Sequence, residues 1–200
     1  GGIATKAALT GHLVMSTLHT NSAPETVTRL LDMGLEPFNV ASALNLVLAQ
    51  RLVRRICGKC REQFWFGDDE YRAAKLTPET TFGDLHFTEE AIANMKRGAV
   101  AEAKPIVENF DLNTKVSEMP LWRGRGCDAC GGSGLKGRQG LYEVMAMTPR
   151  LRKLVLQNVG APEIRDAAIL DGMLSLRMDG LLKVMKGITT LEQVIRETAA

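Results

Sequence analysis

Four cysteines constrain this 200-residue chain more than any other feature, because they occur as two Cys-x-x-Cys pairs. Each pair can present two thiolates on one side of a tight turn, and two such turns can surround a zinc ion tetrahedrally. Four thiolates leave no open coordination position, so we expect a structural rather than a catalytic site. The predicted ligands are Cys57, Cys60, Cys127 and Cys130.

The two pairs are separated by residues 61–126, a wider spacing than that of a usual zinc ribbon. A metal would therefore hold together the two ends of a long insertion. A cross-link that closes a long loop removes more chain entropy from the unfolded state than one that closes a short loop. Two alternatives stay open, namely four unrelated buried cysteines and a redox dithiol. The stretch 127–134 also resembles one zinc knuckle of the DnaJ-type chaperones, which carry that motif several times where this chain has it once.

Charge and composition exclude some classes of partner. Lys and Arg total 25, Asp and Glu total 23, the formal net charge is +2, and 5% of the residues are aromatic. This balance offers neither the basic surface nor the stacking rings typical of nucleic-acid binding. No apolar run approaches the ~18 residues of a membrane span, and the first residues do not form a secretory signal. We therefore expect a reducing cytosolic setting, which favours metal binding over disulfides.

Two histidines flank a short apolar segment near the start of the chain. Residues 13–18 are apolar and β-branched, which predicts a buried strand. In α/β folds, ligands bind at the carboxyl ends of strands. We therefore expect His12, His19 and Thr17 to be candidates for contacting a phosphate or orienting water. The alternative is that the histidines only cap or pack.

Helical patterns flank these features. Ser22 as N-cap and Gly34 as terminator predict one helix, and the apolar spacing of residues 39–56 predicts a second. Arg51 lies near the end of that second stretch, as a candidate nucleotide contact or as part of a solvated helix end. Further helices are predicted over 163–170, 174–185 and from Thr190, which has capping-box spacing with residue 193. One strand with its helices cannot bury a parallel sheet, so we expect the chain to begin inside a larger α/β domain.

Several ordered motifs resemble those of one family. The string Ala-Ala-Leu-Thr-Gly-His-Leu-Val-Met-Ser-Thr-Leu-His-Thr-Asn over 7–21 is similar to the His box of the type II secretion and type IV pilus assembly ATPases, the GspE/PilB family. The resemblance continues around the cysteines and to the end of the chain, in residues 49–57, 137–143, 171–180 and 187–192. The stretch from about residue 64 to 121 matches no motif of that family.

The resemblance implies a RecA-like P-loop motor that assembles as a homo-hexamer and binds ATP and Mg²⁺ between subunits. Such a motor drives pilin or pseudopilin assembly in the cytoplasm, peripheral to the bacterial inner membrane, and contacts inner-membrane platform proteins. His12 and His19 would then lie on the phosphate side of the nucleotide. The four cysteines would be the zinc module of the assembly ATPases, which the retraction ATPases of the superfamily lack.

The chain departs from the family pattern in two respects. Its 200 residues contain no Gly-x-x-x-x-Gly-Lys-Ser/Thr loop and no acidic Walker B strand, and these hold the β/γ-phosphates and Mg²⁺ in P-loop enzymes. We therefore expect the isolated chain to hydrolyse no ATP. The alternative function is a zinc-stapled interaction module that docks a membrane platform protein and has no nucleotide role.

The predicted fold class is α/β: the C-terminal portion of a RecA-like P-loop ATPase domain, an inserted tetracysteine zinc module and a small C-terminal helical domain. The corresponding ranges are 1–56, 57–142 and 143–200. Structural roles are expected for Tyr142 and Glu143, although Glu143 as a simple surface charge is the alternative. Arg138 is a candidate for pairing across a subunit interface.

Overall fold

The protein has a mixed α/β fold, as predicted. A computed structural model describes residues 2–64, 71–72, 76–85, 87–89, 92–93, 96, 108–115, 117 and 121–198. Contacts group the chain into two compact units, the first comprising residues 1–49 and 143–173 and the second 50–142 and 174–200. The division into 1–56, 57–142 and 143–200 stays a prediction.

Along the described residues, three helices come first, four strands follow, and four helices end the chain. The helices are α1 (Gly2–Leu9), α2 (Ala23–Asp32), α3 (Pro37–Ala43), α4 (Pro149–Leu156), α5 (Ala161–Leu170), α6 (Leu176–Met185) and α7 (Leu191–Thr198). The strands are β1 (Leu46–Ile56), β2 (Arg61–Phe64), β3 (Leu121–Gly124) and β4 (Leu135–Ala146). Strand β1 pairs with β4, and β2 pairs antiparallel with β3 so that Arg61 faces Gly124 and Phe64 faces Leu121.

The predicted limits of α2, an N-cap at Ser22 and a terminator at Gly34, are confirmed, and α1 ends in a defined turn. Helix α1 closes with a Schellman pattern, in which the N–H of His12 donates to the Ala7 carbonyl at 3.2 Å and Gly11 has a φ of 93°. Ser22 caps α2, since its Oγ accepts from the N–H of Glu25 at 3.4 Å.

The predicted strand over residues 13–18 is wrong. This segment has no regular secondary structure, and the side chains of Leu13 and Met15 are each 87% exposed. A strand requires neighbours for its backbone N–H and C=O groups. No strand of the described ranges lies beside residues 13–18, whose apolar, β-branched composition therefore does not produce one.

The predicted helix over residues 39–56 is also wrong in most of its length. It ends at Ala43, and strand β1 follows. Val47, Ala49 and Val53 are buried, whereas Leu48 and Leu52 are 54% and 49% exposed. Burial thus follows the two-residue alternation of a strand, and pairing with β4 overrides the helical spacing of the leucines. Arg51 consequently lies within a strand and not in the last turn of a helix.

Each unit has a buried apolar centre. In the first unit, fully or almost fully buried side chains come from α2, α3, β4 and the two helices that follow it: Val27, Val40, Met145, Leu151, Val155 and Ile164. In the second unit, Val53, Leu141 and Leu176 form one cluster. A separate aromatic cluster lies within the described part of the 61–126 insertion, where the ring of Phe82 lies 5.1 Å from that of Phe87 and 4.9 Å from that of Phe110.

Residues 188–193 bond to the last part of β1. The N–H of Ile56 donates to the Ile188 carbonyl at 2.9 Å, and the Thr189 hydroxyl donates to the Arg54 carbonyl at 2.8 Å. The predicted capping box at Thr190 is half formed, since its Oγ1 accepts from the N–H of Gln193 at 3.4 Å. The side-chain oxygen of Gln193 instead accepts from the N–H of Arg54 at 3.2 Å. The start of α7 is therefore tied to the strand that leads into the first cysteine pair.

Replacing Gly180 in α6 by Ala should destabilise the fold. An added Cβ would lie 2.4 Å from Cγ1 of Val194 and 3.3 Å from Cδ1 of Leu141. Overpacking of this kind typically costs about 1–3 kcal/mol, more than the ~1 kcal/mol that alanine gains over glycine in a helix. We expect a lower urea midpoint for Gly180→Ala than for wild type. The matched control is Gly2→Ala in α1, where nothing lies within 4 Å, and equal or higher stability of Gly180→Ala would contradict the packing argument.

Candidate metal centre

The first cysteine pair lies in the turn between β1 and β2. The N–H of Cys60 donates to the carbonyl of Cys57 at 3.2 Å, which closes the turn and directs both side chains inward. The N–H of Cys57 itself donates to the carbonyl of Gly134 at 2.9 Å. This bond joins the first pair to the loop that carries the second pair, and both thiols are buried.

The second pair flanks a short 3₁₀ helix, Asp128–Cys130. Cys127 is extended and caps this turn, and Gly131 follows it in the left-handed region with a φ of 60°. The N–H of Cys130 donates to the carbonyl of Cys127 at 3.1 Å. The tight turn presents both sulfur atoms on one side, as the Cys-x-x-Cys spacing predicts.

The four thiol groups come together in one cluster. All four Sγ atoms lie within 4.8 Å of one another. Cys57 Sγ is 3.9 Å from Cys127 Sγ, Cys60 Sγ is 3.9 Å from Cys130 Sγ, and Cys127 and Cys130 are 3.7 Å apart. A tetrahedron with Zn–S bonds of about 2.3 Å has sulfur atoms about 3.8 Å apart. The donor set and its spacing therefore fit a tetrahedral zinc ion.

Backbone groups around the cluster favour a thiolate at one position. The N–H groups of Cys127 and Gly134 donate to Cys130 Sγ at 3.2 and 3.3 Å. Burial opposes ionisation of Cys130, but these backbone N–H groups and the neighbouring thiols lower its pKa to about 6. Burial, with contributions from the adjacent thiols, raises the pKa of Cys60 to about 12. Without a cation, four adjacent thiols do not ionise together, and a divalent metal would supply the compensating charge.

Glycines allow the loop to approach strand β3 closely. A Cβ on Gly124 would lie 2.1 Å from the carbonyl oxygen of Gly134, and a Cβ on Gly134 would lie 2.3 Å from that of Gly124. The two backbones therefore touch where any other residue would force them apart. Nearer to the second pair, a Cβ on Gly126 would lie 2.6 Å from the carbonyl oxygen of Gly132. The sequence shows that these glycines are present, but it does not predict which of them contact one another.

A contact between Arg61 and Trp122, which the sequence did not predict, lies next to the first cysteine pair along the chain. The Arg61 guanidinium lies 4.9 Å from the centroid of the Trp122 ring and also donates to the Gly187 carbonyl at 3.3 Å. A Cβ on Gly187 would lie 2.9 Å from the indole ring. The β2–β3 strand pair is thus attached to the turn between α6 and α7 through the stacked side chains of Arg61 and Trp122.

The other predicted site residues do not join the cysteine cluster. His12, Thr17 and His19 are exposed in the irregular segment that follows α1, and His12 Nδ1 lies 3.2 Å from the Thr10 hydroxyl. Arg51 is partly buried within β1. Their nucleotide roles stay predictions, as does an interface role for the exposed Arg138.

The predicted structural role of Glu143 is confirmed. It is 3% exposed, and its Oε1 accepts from the N–H of Ala23 at 2.6 Å. The surface-charge alternative is therefore wrong. The alternation of buried residues along β4 places Glu143 on the inner side with Leu141 and Met145, and this register is the signal that identifies it.

We expect Gly124→Ala to weaken metal binding about 10–100-fold, the range found when groups that support metal ligands are altered. The added Cβ would push the 132–134 loop away and displace Cys130. Competition with a chromophoric chelator measures the affinity. Gly58→Ala is the matched control, because Gly58 lies inside the first pair and a methyl group added there would have nothing within 4 Å. Equal affinities for the two variants would contradict the argument.

Metal affinity should also fall as the pH falls. Metal binding requires thiolates and releases their protons. The pKa of Cys130 is lowered to about 6, whereas that of Cys60 is raised to about 12. We expect the apparent zinc affinity to decrease by about tenfold or more per pH unit between pH 8 and 6. Chelator competition at several pH values measures this, and an affinity independent of pH would argue against thiolate ligands.

The sequence of the chain is similar to those of known proteins. The sequence pattern of the family described as Type II/IV secretion system protein matches residues 2–196. The chain is 42% identical over 197 residues to the type IV pilus assembly ATPase PilB of Myxococcus xanthus, covering 98% of the chain and 29% of that relative. It is 40% identical over 196 residues to PilB of Thermus thermophilus, covering 98% of the chain and 18% of the relative.

Secretion proteins are similar to almost the same degree. The type II secretion system ATPase E of Vibrio cholerae is 39% identical over 196 residues, which cover 98% of the chain and 31% of that relative. The chain thus spans less than a third of the length of each of these three relatives. Since the family pattern extends over nearly all of its residues, the chain belongs to the type II/IV secretion system protein family.

Proposed function

We propose that this chain is part of a hexameric ATPase that powers type IV pilus assembly or type II secretion. The observation that carries the proposal is the match along 98% of the chain to proteins named as pilus assembly and secretion ATPases. The order of the motifs, from residues 7–21 (the His segment) to the last helix, supports the proposal. The active setting of such a motor is the cytoplasmic side of the bacterial inner membrane, against its platform proteins.

We further propose that Cys57, Cys60, Cys127 and Cys130 hold one structural Zn²⁺. Support comes from the cluster of four sulfur atoms within 4.8 Å and from the backbone N–H groups aimed at Cys130. A closed Cys₄ set leaves no position for substrate. The metal therefore contributes to folding and to the shape of the surrounding surface, and has no part in ATP hydrolysis.

The nucleotide role proposed for the chain belongs to its His segment. His12 and His19 would face the phosphates of ATP·Mg²⁺ in the assembled motor, with Thr17 and Arg51 as lesser contacts. Support comes from the exposure of His12, Thr17 and His19, which leaves these side chains available to another surface. The 200 residues contain no P-loop and no Walker B strand, so phosphate and Mg²⁺ would be held by other parts of the motor.

A second candidate function is a zinc-stapled interaction module without a nucleotide role. The observation in its favour is that the metal cluster and its supporting glycines all fall in the second unit, whereas the two histidines fall in the first. The second unit would then dock a platform protein on its own.

Among the described residues, no helix has the length and apolar character needed to cross a bilayer.

The zinc proposal predicts about one zinc per chain by elemental analysis. All four thiols should resist a thiol reagent until a chelator or denaturant is added, because metal-bound thiolates are shielded. Cys57→Ser should lose most of the metal, while Gly58→Ala should retain it. A metal-free chain with four reactive thiols would contradict the proposal.

The ATPase proposal predicts different outcomes for the chain alone and in a motor. The isolated chain should show no Mg²⁺-dependent ATP turnover. Placed in Myxococcus xanthus PilB instead of the matching residues, it should support hydrolysis, and His19→Ala should lower kcat about 10–1,000-fold, as loss of a group acting on the transition state does.

Asp32→Asn, at the exposed end of α2, is the matched control in the same chimaera and should keep wild-type turnover. Full hydrolysis by the His19→Ala chimaera would remove the nucleotide role and favour the interaction module. Turnover by the isolated chain would contradict the dependence on a P-loop.

A further inference from the structure

A buried carboxylate holds the start of helix α2. Glu143 lies in β4 and is 3% exposed, and its Oε1 accepts a hydrogen bond of 2.6 Å from the N–H of Ala23, the first residue of α2. Ala23 is completely buried. The two residues are 120 positions apart in the sequence, so this bond fixes the helix start relative to β4 within the first unit.

Three other contacts at this helix end join residues that are close in the sequence. Ser22 caps the N–H of Glu25 at 3.4 Å, Glu25 Oε2 accepts from the N–H of Asn21 at 3.1 Å, and the hydroxyls of Thr20 and Thr26 lie 2.8 Å apart. These contacts link residues 20–26 to one another. The bond from Glu143 differs from them, because it joins this helix end to a residue of β4.

Physical chemistry explains why a carboxylate is placed there. The first N–H groups of a helix have no intrahelical acceptor, and the helix dipole makes this end favourable for negative charge. A charge-assisted bond is also stronger than a neutral one. A buried carboxylate is costly unless it is bonded in this way. The N–H of Ala23 is consequently used by a protein carboxylate and is not available to a phosphate.

We propose that Glu143 is a positioning residue that sets the location of the segment His19–Ser22. His19 lies four residues before Ala23, and Thr20 is held to the helix by its contact with Thr26. Fixing Ala23 therefore limits where the backbone of His19 can lie, although Glu143 touches no substrate. The consequence for ATP hydrolysis rests on the proposed nucleotide role of His19, whereas the positioning itself does not.

The first test uses the 200-residue chain and hydrogen exchange measured by NMR. Glu143→Ala removes the acceptor, and we expect the Ala23 amide to exchange at least tenfold faster and the ring resonances of His19 to shift. Glu143→Gln keeps an acceptor oxygen without the charge and should give an intermediate change. The amide of His12, bonded to the Ala7 carbonyl at the end of α1, should be unaffected and serves as an internal reference.

Asp32→Asn is the matched control, because it removes a carboxylate from the opposite end of the same helix. It should leave the Ala23 amide and the His19 ring unchanged. Should Glu143→Ala fail to fold, Glu143→Gln carries the test through its smaller but local effect. Unchanged exchange at Ala23 in the folded variant, or an equal change in Asp32→Asn, would overturn the proposal.

The second test uses the PilB chimaera and separates this inference from the proposed function. We expect Glu143→Gln to lower kcat for ATP hydrolysis several-fold while the KM for ATP stays within about twofold, because binding is made by other groups. A change at Ala23 and His19 with unaltered kcat would support positioning and refute the nucleotide role of His19. A lower kcat without any local change would overturn positioning by Glu143.

Discussion

The contact between the backbones of Gly124 and Gly134 is the constraint on which the cysteine module depends. Their carbonyl oxygens occupy the space that a Cβ on the opposite residue would need. This approach brings the second cysteine loop against the end of β3, and the bond from the N–H of Cys57 to the Gly134 carbonyl at 2.9 Å brings it against the first pair. The sulfur cluster is therefore assembled by backbone geometry, and a metal would complete it.

Closure of this module organises a long stretch of chain. In the chain-entropy model, a cross-link around a loop as long as 61–126 removes the equivalent of about 4 kcal/mol from the unfolded state. The same closure brings β2 and β3 together as a pair. It also holds Trp122 in contact with Arg61 and Gly187. Residues 188–193 in turn bond to β1 just before Cys57. The cysteine cluster, the β2–β3 strand pair and the last two helices are thus connected by one set of contacts in the second unit.

The sequence predicted features that depend on local chemistry and missed those that depend on distant partners. The cap at Ser22, the terminator at Gly34 and the two Cys-x-x-Cys turns follow from a few adjacent residues, and the structure confirms them. The segments 13–18 and 46–56 were predicted wrongly. In the first case, composition favours a strand but no strand of the described residues pairs with it. In the second, leucines at helical spacing lie in β1, whose pairing with β4 decides its conformation.

The position of Glu143 changes how the start of α2 should be understood. A helix N-terminus after a polar His-Thr-Asn-Ser segment is a place where phosphates commonly bind. Ala23, however, gives its N–H to a buried carboxylate, which would also repel an approaching phosphate. At this helix start, contact with a nucleotide would therefore be made by exposed side chains before Ser22, such as His19. Glu143 joins the start of α2 to β4, and in our proposal this bond sets where the segment before Ser22 lies.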